Sequence, residues 1–242
     1  MRLDNATNIH FNNKSAQSAY LNNNLVWSSI DTTQLLLLDA SNYTSGSTWF
    51  DESENGYGND ATIFNSPTND GSSFTLNGTN QYFDVADGFA DFTSGLTILS
   101  FVNFGNANAW ERIIDFGEGQ ASNNIIFSRK STTNNLWFEI YGSGSSLFSV
   151  ELSNGIINNG WGFYGIKIGG GYKLFTHISN VNDTTATLPA NVTRTNNYIG
   201  RSNWSADTYF ESKIGVIAIY NRELTDTEID NFYNEHKSTY GL

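Results

Sequence analysis

Cysteine is absent from the 242 residues. That removes disulfides, thiol nucleophiles and cysteine-based metal sites together. Small secreted modules commonly rely on disulfides, so the absence favours assembly in a reducing cytoplasm. Basic residues are scarce: 12 Lys and Arg stand against 24 Asp and Glu, a formal net charge of −12. The nearest thing to a basic cluster is Arg129-Lys130. Nucleic acid and anionic membrane surfaces both need a cationic footprint, so neither is expected as a partner; the charge reads first as solubility. Long apolar runs are also missing. Runs such as Leu35 to Leu38 are far too short to cross a bilayer. The opening Met-Arg-Leu-Asp has no apolar h-region, so no signal peptide is expected. The sequons at Asn42, Asn77, Asn191 and Asn203 are accordingly read as unglycosylated.

Asparagine is in excess, at about one residue in seven against an average usage several-fold lower. It clusters at Asn22-Asn23-Asn24, Asn123-Asn124, Asn134-Asn135, Asn158-Asn159-Gly160 and Asn196-Asn197. Asn tolerates the left-handed conformation of tight turns, so these clusters read as turns. Only two prolines, with 22 glycines and 14% aromatics, suit many strands joined by polar turns. The length is enough for one large sandwich with a proper core. About a dozen strands are expected between residues 31 and 220, among them Leu96–Phe104, Leu136–Tyr141 and the hairpin of Trp161–Ile168 with Tyr172–Ser179.

The last 30 or so residues are the most specific stretch. Ile214, Val216, Ala218 and Tyr220 fall on one face at period two, which predicts a strand. The period then changes. Thr225 and Glu228 have capping-box spacing, and Leu224 with Ile229 forms a hydrophobic staple. Ile229, Phe232, Tyr233 and His236 recur at helical spacing. This strand-to-helix ending resembles that of laminin-G-like, concanavalin A-like jelly-roll domains, whose last strand is followed by "xYNRxLTxxEI". The resemblance extends through Trp49-Phe-Asp-Glu-Ser-Glu-Asn-Gly-Tyr-Gly-Asn-Asp-Ala61, Ser73-Phe-Thr-Leu-Asn-Gly-Thr-Asn-Gln-Tyr-Phe-Asp-Val85 and Gly95-Leu-Thr-Ile-Leu-Ser-Phe-Val102, with Phe101 where Trp is usual. Arg112-Ile-Ile-Asp-Phe-Gly117 and Tyr198-Ile-Gly-Arg201 also fit. The implied fold is all-β: a concanavalin A-like sandwich over residues 31–242 with a short C-terminal helix. It does not fix a function, because this fold hosts lectins, glycosidases, adhesion modules and virion proteins.

Residues 1–30 look different. Two strand candidates, Asn8 to Phe11 and Ala19 to Trp27, are expected, the second split into a β-hairpin by Asn22-Asn23-Asn24. A segment this small cannot hold its own core. It must cover Ile9, Tyr20, Leu21, Val26 and Trp27 against the sandwich or against another subunit. Its "I-x-x-x-Y-L-N-x-x-x-V-W" pattern resembles an N-terminal element of tailed-phage virion proteins. That resemblance implies docking on other virion proteins, and by analogy a homo-oligomer, a homotrimer.

An enzyme is not expected. The Glu-x-Asp-x-Glu strand signature of the fold's glycosidases is missing, the three histidines His10, His177 and His236 are scattered, and no nucleophile–base–orienter set is visible. Jelly rolls of this kind often hold calcium in their loops, so the resemblance implies Ca2+ as a cofactor. The loop from Asp51 to Asp60 offers hard oxygen donors, with Asp51, Asn59 and Asp60 as metal ligands; such loops also close on themselves without an ion. For carbohydrate, stacking aromatics with amide neighbours point to Tyr57, Asn106, Trp110, Asn203 and Trp204, while Trp49, Trp137 and Trp161 are expected in the core. The expected function is a structural virion protein of a tailed phage, displaying a lectin-like domain for host-surface glycans. The alternative is a free or cell-surface bacterial carbohydrate-binding module.

Overall fold

A computed structural model describes residues 31–53 and 58–242, and the backbone of four short strands between residues 10 and 28. Those four form two antiparallel pairs, β1 (His10–Phe11) with β2 (Lys14–Ser15) and β3 (Ser18–Leu21) with β4 (Asn24–Ser28). In the second pair Leu21 stands opposite Asn24, in line with the expected hairpin. The side chains expected to dock, Ile9, Tyr20, Leu21, Val26 and Trp27, lie outside the described residues, as does Tyr57.

From residue 34 onward the chain builds two antiparallel sheets face to face. The first runs β15 (Ser146–Leu152), β14 (Leu136–Tyr141), β13 (Ile125–Arg129), β12 (Arg112–Gly117), β19 (Asn196–Ile199), β10 (Tyr82–Val85), β7 (Ala61–Phe64) and β6 (Thr48–Trp49). The second runs β18 (Asn180–Asp183), β17 (Tyr172–Thr176), β16 (Gly160–Ile168), β11 (Leu96–Phe104), β20 (Glu211–Tyr220), β9 (Phe74–Asn77) and β8 (Thr68–Asn69). A further strand, β5 (Gln34–Asp39), also pairs with β20. This is the expected jelly roll, with short strands β6, β8 and β18 added. The core lies between the sheets, where Phe74, Phe83 and Trp49 meet with ring centroids about 5 Å apart.

The two outer faces differ, and that difference positions the candidate site. The outer face of the second sheet is covered by α1 (Asp226–His236) and the turn Lys237–Tyr240 that follows it. Strand β11 is therefore apolar on both sides: Leu96, Ile98, Val102 and Phe104 face the core, while Leu99 and Phe101 face the helix. Phe101 stacks near Phe232, Tyr233 and Tyr240. The capping box forms, with the Thr225 hydroxyl accepting from the Glu228 N–H and the Glu228 carboxylate accepting from the Thr225 N–H. One expectation is corrected. Val216, Ala218 and Tyr220 face the helix, but Ile214 joins the core, because the pairing register slips between Ile214 and Val216. Gly215 sits at the slip, where a Cβ would overlap the Tyr240 ring.

Arg129 is fully buried in an ion pair with Glu111 at 2.9 Å, and Lys130 pairs with Glu151. The one sequence-adjacent basic pair is thus consumed internally. No helix of the described residues is long and apolar enough to cross a membrane.

Candidate functional site

The first sheet shows its inner residues to the core and, among the described residues, no helix covers its outer face. Alternation along β14 explains the division: Leu136, Phe138 and Ile140 are buried in the core, whereas Trp137, Glu139 and Tyr141 are only partly buried on the other side. Register places Glu139 opposite Ile126 of β13, and Ile126 opposite Asp115 of β12. The face continues through Tyr198 of β19 to Asp84 of β10.

Two loop tryptophans hang over this face. Trp110 precedes β12, and Trp204 follows β19 after a short loop. The Arg112 guanidinium lies between them, 5.7 Å from each ring centroid. It is fixed there by three bonds: to the Asp207 carboxylate at 2.6 Å, the Ser128 hydroxyl at 3.2 Å and the Ser202 hydroxyl at 3.3 Å. The Trp204 ring is 5.3 Å from Tyr141. Trp110, Arg112, Ile126, Glu139, Tyr141, Trp204 and Asp207 enclose an open hollow of about 200 Å³. Burial raises the Tyr141 hydroxyl above its usual pKa, Glu139 and Asp115 adding to the effect and Arg112 opposing it, so it stays a protonated donor at neutral pH.

Beneath the hollow, Asp115 is fully buried. Its carboxylate accepts from the Asn124 amide at 2.8 Å, the Asn203 side-chain amide at 2.9 Å and the Asn203 backbone N–H at 2.9 Å. Burial pushes this carboxyl up, and the Arg112 charge is the first influence opposing it. Asp115 therefore clamps the Ser202–Asn203 corner from below and presents Trp204 above it.

The structure brings together two of the expected sugar-binding residues, Trp110 and Trp204. Asn203 lies beside them, but its amide nitrogen is engaged inward by Asp115 and by the Asn196 carbonyl, which makes it a positioning residue. Asn106 sits on an exposed loop, outside the lining of the hollow. Arg112, Glu139, Tyr141 and Asp207 line the hollow beyond the residues expected from the sequence. Trp137, expected in the core, stands on the open face, donating to Glu139 at 3.1 Å with the Lys130 ammonium 4.4 Å from its ring centre. The signal was present in Trp137-Phe-Glu-Ile-Tyr141, whose outward positions are aromatic, acidic and aromatic.

Among its described residues, the loop expected to hold calcium is closed by bonds within the chain. Both Asp51 carboxylate oxygens accept from the chain: one from the Leu37 and Ser53 N–H groups, the other from the Ser53 hydroxyl and the Asn59 N–H. Asn59 gives its amide to the Leu35 carbonyl, and Asp60 accepts from the Asp51 N–H. Four donors aimed at one carboxylate fit a self-closed Asx loop and do not fit a cation cradle. Among the described residues no group of three or more metal-ligating His, Asp or Glu side chains forms.

A profile of the concanavalin A-like lectin/glucanases superfamily, of laminin-G type, matches residues 77–230. No curated protein matches the sequence. Among solved structures, the binding domain of botulinum neurotoxin DC in complex with rat synaptotagmin II superposes with a TM-score of 0.60 at 15% identity, over 86% of this chain and 52% of that one. The binding domain of botulinum neurotoxin serotype D/C gives 0.60 at 15%, over 86% and 53%. The Trypanosoma rangeli sialidase in complex with sialic acid gives 0.61 at 13%, over 93% and 36%. The chain thus spans about half the length of the toxin domains and about a third of the sialidase, and at these identities the likeness is one of fold. With the profile covering more than half of its residues, this chain belongs to the laminin-G-like part of the concanavalin A-like lectin/glucanases superfamily.

Proposed function

We propose that the protein is a carbohydrate-binding module that uses the open face of its first sheet. One observation carries this reading. Of the two outer faces, one is sealed by a helix, and the other presents Trp110, Trp204 and Tyr141 around a hollow with Arg112 locked between the indoles. Aromatic rings at that spacing suit the C–H faces of sugars, and Glu139 and Asp207 supply acceptors for hydroxyls. The hollow is smaller than the roughly 300–1,000 Å³ of enclosed small-molecule pockets, which suits a surface-bound oligosaccharide. We read the site as binding without turnover. Its two carboxylates are already bonded, Asp207 to Arg112 and Ser202, and Glu139 to Trp137. A glycan array probed with the protein and with Trp204→Ala tests the idea. Specific signals that vanish in the variant are expected; a blank array, or equal binding by the variant, would sink it.

The setting we propose is the outer surface of a tailed-phage particle, with residues 1–30 docking on other virion proteins. Its support is the Ile9-to-Trp27 pattern and the apolar side chains that need cover. Mass spectrometry of purified particles should recover the chain, and deletion of residues 1–30 should abolish attachment while leaving glycan binding intact. Recovery only as a free protein with full glycan affinity would favour a free or cell-surface bacterial module instead.

A further inference from the structure

The protein carries a large acidic excess, yet one arginine beside the proposed site makes no salt bridge among the described residues. Seven of the described cations form salt bridges: Arg112, Arg129, Lys130, Lys167, Lys173, Lys213 and Arg222. Arg194 is buried and donates to the carbonyls of Phe89, Asn123, Ala190 and Val192. Lys237 bonds Asn234 at the end of the helix. Among the described residues, Arg201 alone combines a place on the open sheet face with no salt bridge.

Arg201 is held in a defined pose. Its guanidinium carbon lies 4.3 Å from the Tyr198 ring centre and 4.8 Å from that of Tyr82. Both tyrosines point outward from neighbouring strands β19 and β10, and Tyr82 is stacked from behind on Phe64 at 4.5 Å. Stacking on a ring uses the flat face of a guanidinium and leaves its N–H edge for a planar, bidentate acceptor. Asp84, between the two tyrosines, feels the charge of this arginine, but it makes no ion pair with it among the described residues. Arg201 also lines a second hollow of about 130 Å³ with Ser202, Asn203, Trp204, Asp207 and Tyr209. Trp204 and Asp207 border both hollows. A ring stacked on Trp204 therefore has within reach, in the adjoining hollow, a preorganised cation that makes no salt bridge among the described residues.

We propose that the site selects carboxylated sugars, with Arg201 pairing the sugar carboxylate while Trp204 stacks the ring. The inference rests on the open-face reading above and narrows its ligand to a glycan containing a uronic or sialic acid. A carboxylate entering a protein of net charge −12 meets long-range repulsion. A guanidinium stacked on two tyrosines and held in place is the local feature that overcomes it.

Titration calorimetry on the full chain tests this with matched probes. One arm compares 3′-sialyllactose with lactose, the other trigalacturonate with its methyl ester. The expected result is at least tenfold tighter binding of the carboxylated member in one arm, which also identifies the sugar. In Arg201→Gln that ratio should fall to about one, and Arg201→Lys, which keeps the charge but loses the planar fork, should fall between. Unfolding midpoints check that the variants fold, and the ester comparison needs no variant. Equal affinity for carboxylated and neutral members, or an undiminished ratio in Arg201→Gln, overturns the carboxylate inference and leaves the open-face reading standing. Failure of every probe to bind overturns both.

Discussion

Trp110 holds a backbone conformation that bulky side chains rarely adopt, with φ at 60°. Its N–H donates to the Ser131 carbonyl at 3.2 Å, and its ring sits over Arg112. A left-handed residue with a Cβ costs on the order of 1–2 kcal/mol, and such strain persists where the surroundings over-determine it. A strained aromatic at the rim of the hollow accords with the proposed binding role, since such strain clusters at functional sites. The strain can be isolated by comparing two truncations. Trp110→Gly and Trp110→Ala lose the same ring, but only alanine keeps the strained Cβ. Chemical denaturation should find the glycine variant more stable by about 1 kcal/mol, with both deficient in glycan binding. An alanine variant as stable as the glycine one would remove the strain argument. At the Asp51 loop the expectation is equally specific. Its carboxylate is saturated by chain donors, so millimolar calcium against EDTA should leave the unfolding midpoint unchanged. A rise with calcium would mean that the loop exchanges those donors for an ion, since an ion that binds only the native state must stabilise it.

At the scale of elements, the helix is the part most completely legible in the sequence. Thr225, Glu228, Leu224 and Ile229 carry their instructions within six residues, so local spacing is enough. The two-residue strands β6 and β8 have no period to read. The site was half legible for the same reason. Trp110 and Trp204 announce themselves by loop context, but Asp207 meets Arg112 across 95 residues and Asn203 meets Asp115 across 88, and no local pattern encodes either contact. The helix also makes a pH prediction. Hydrogen bonding from Arg222 lowers the Glu228 carboxyl from 4.5 to about 2. A group whose folded pKa is depressed contributes stability above its unfolded pKa and loses it as pH falls through the folded value. Glu228→Gln keeps the capping bond but not the ion pair. It should therefore be less stable than the parent at pH 7, by no more than about 1 kcal/mol for so exposed a pair. The gap should close between pH 4.5 and about 2. A difference independent of pH would place the effect of Glu228 in capping alone.

At the scale of the whole molecule, the sandwich divides its labour between opposite surfaces. The second sheet's outer face is structural, since Leu99, Phe101, Phe163 and Val216 would be exposed without the helix. The first sheet's outer face is open and carries the arginines and aromatics of the proposed site. The core separates the two, so stability and binding should come apart under mutation. Phe232 is the test position. It is 8% exposed, near Phe101 and Phe163 across the helix–sheet seam, and remote from Trp204 in the layer order. Phe232→Ala removes a buried ring, at a cost of up to about 3–5 kcal/mol. For a domain of this size that corresponds to a fall in melting temperature of roughly 6–20 °C. A globular domain stable by about 5–15 kcal/mol stays folded at 25 °C after such a loss in most of that range. Below its midpoint the variant should therefore bind the same glycans with the parent's affinity, while unfolding earlier on heating. If binding weakens at temperatures where circular dichroism shows the variant folded, the helix is coupled to the open face through the sandwich, and the separation of scaffold from site is wrong.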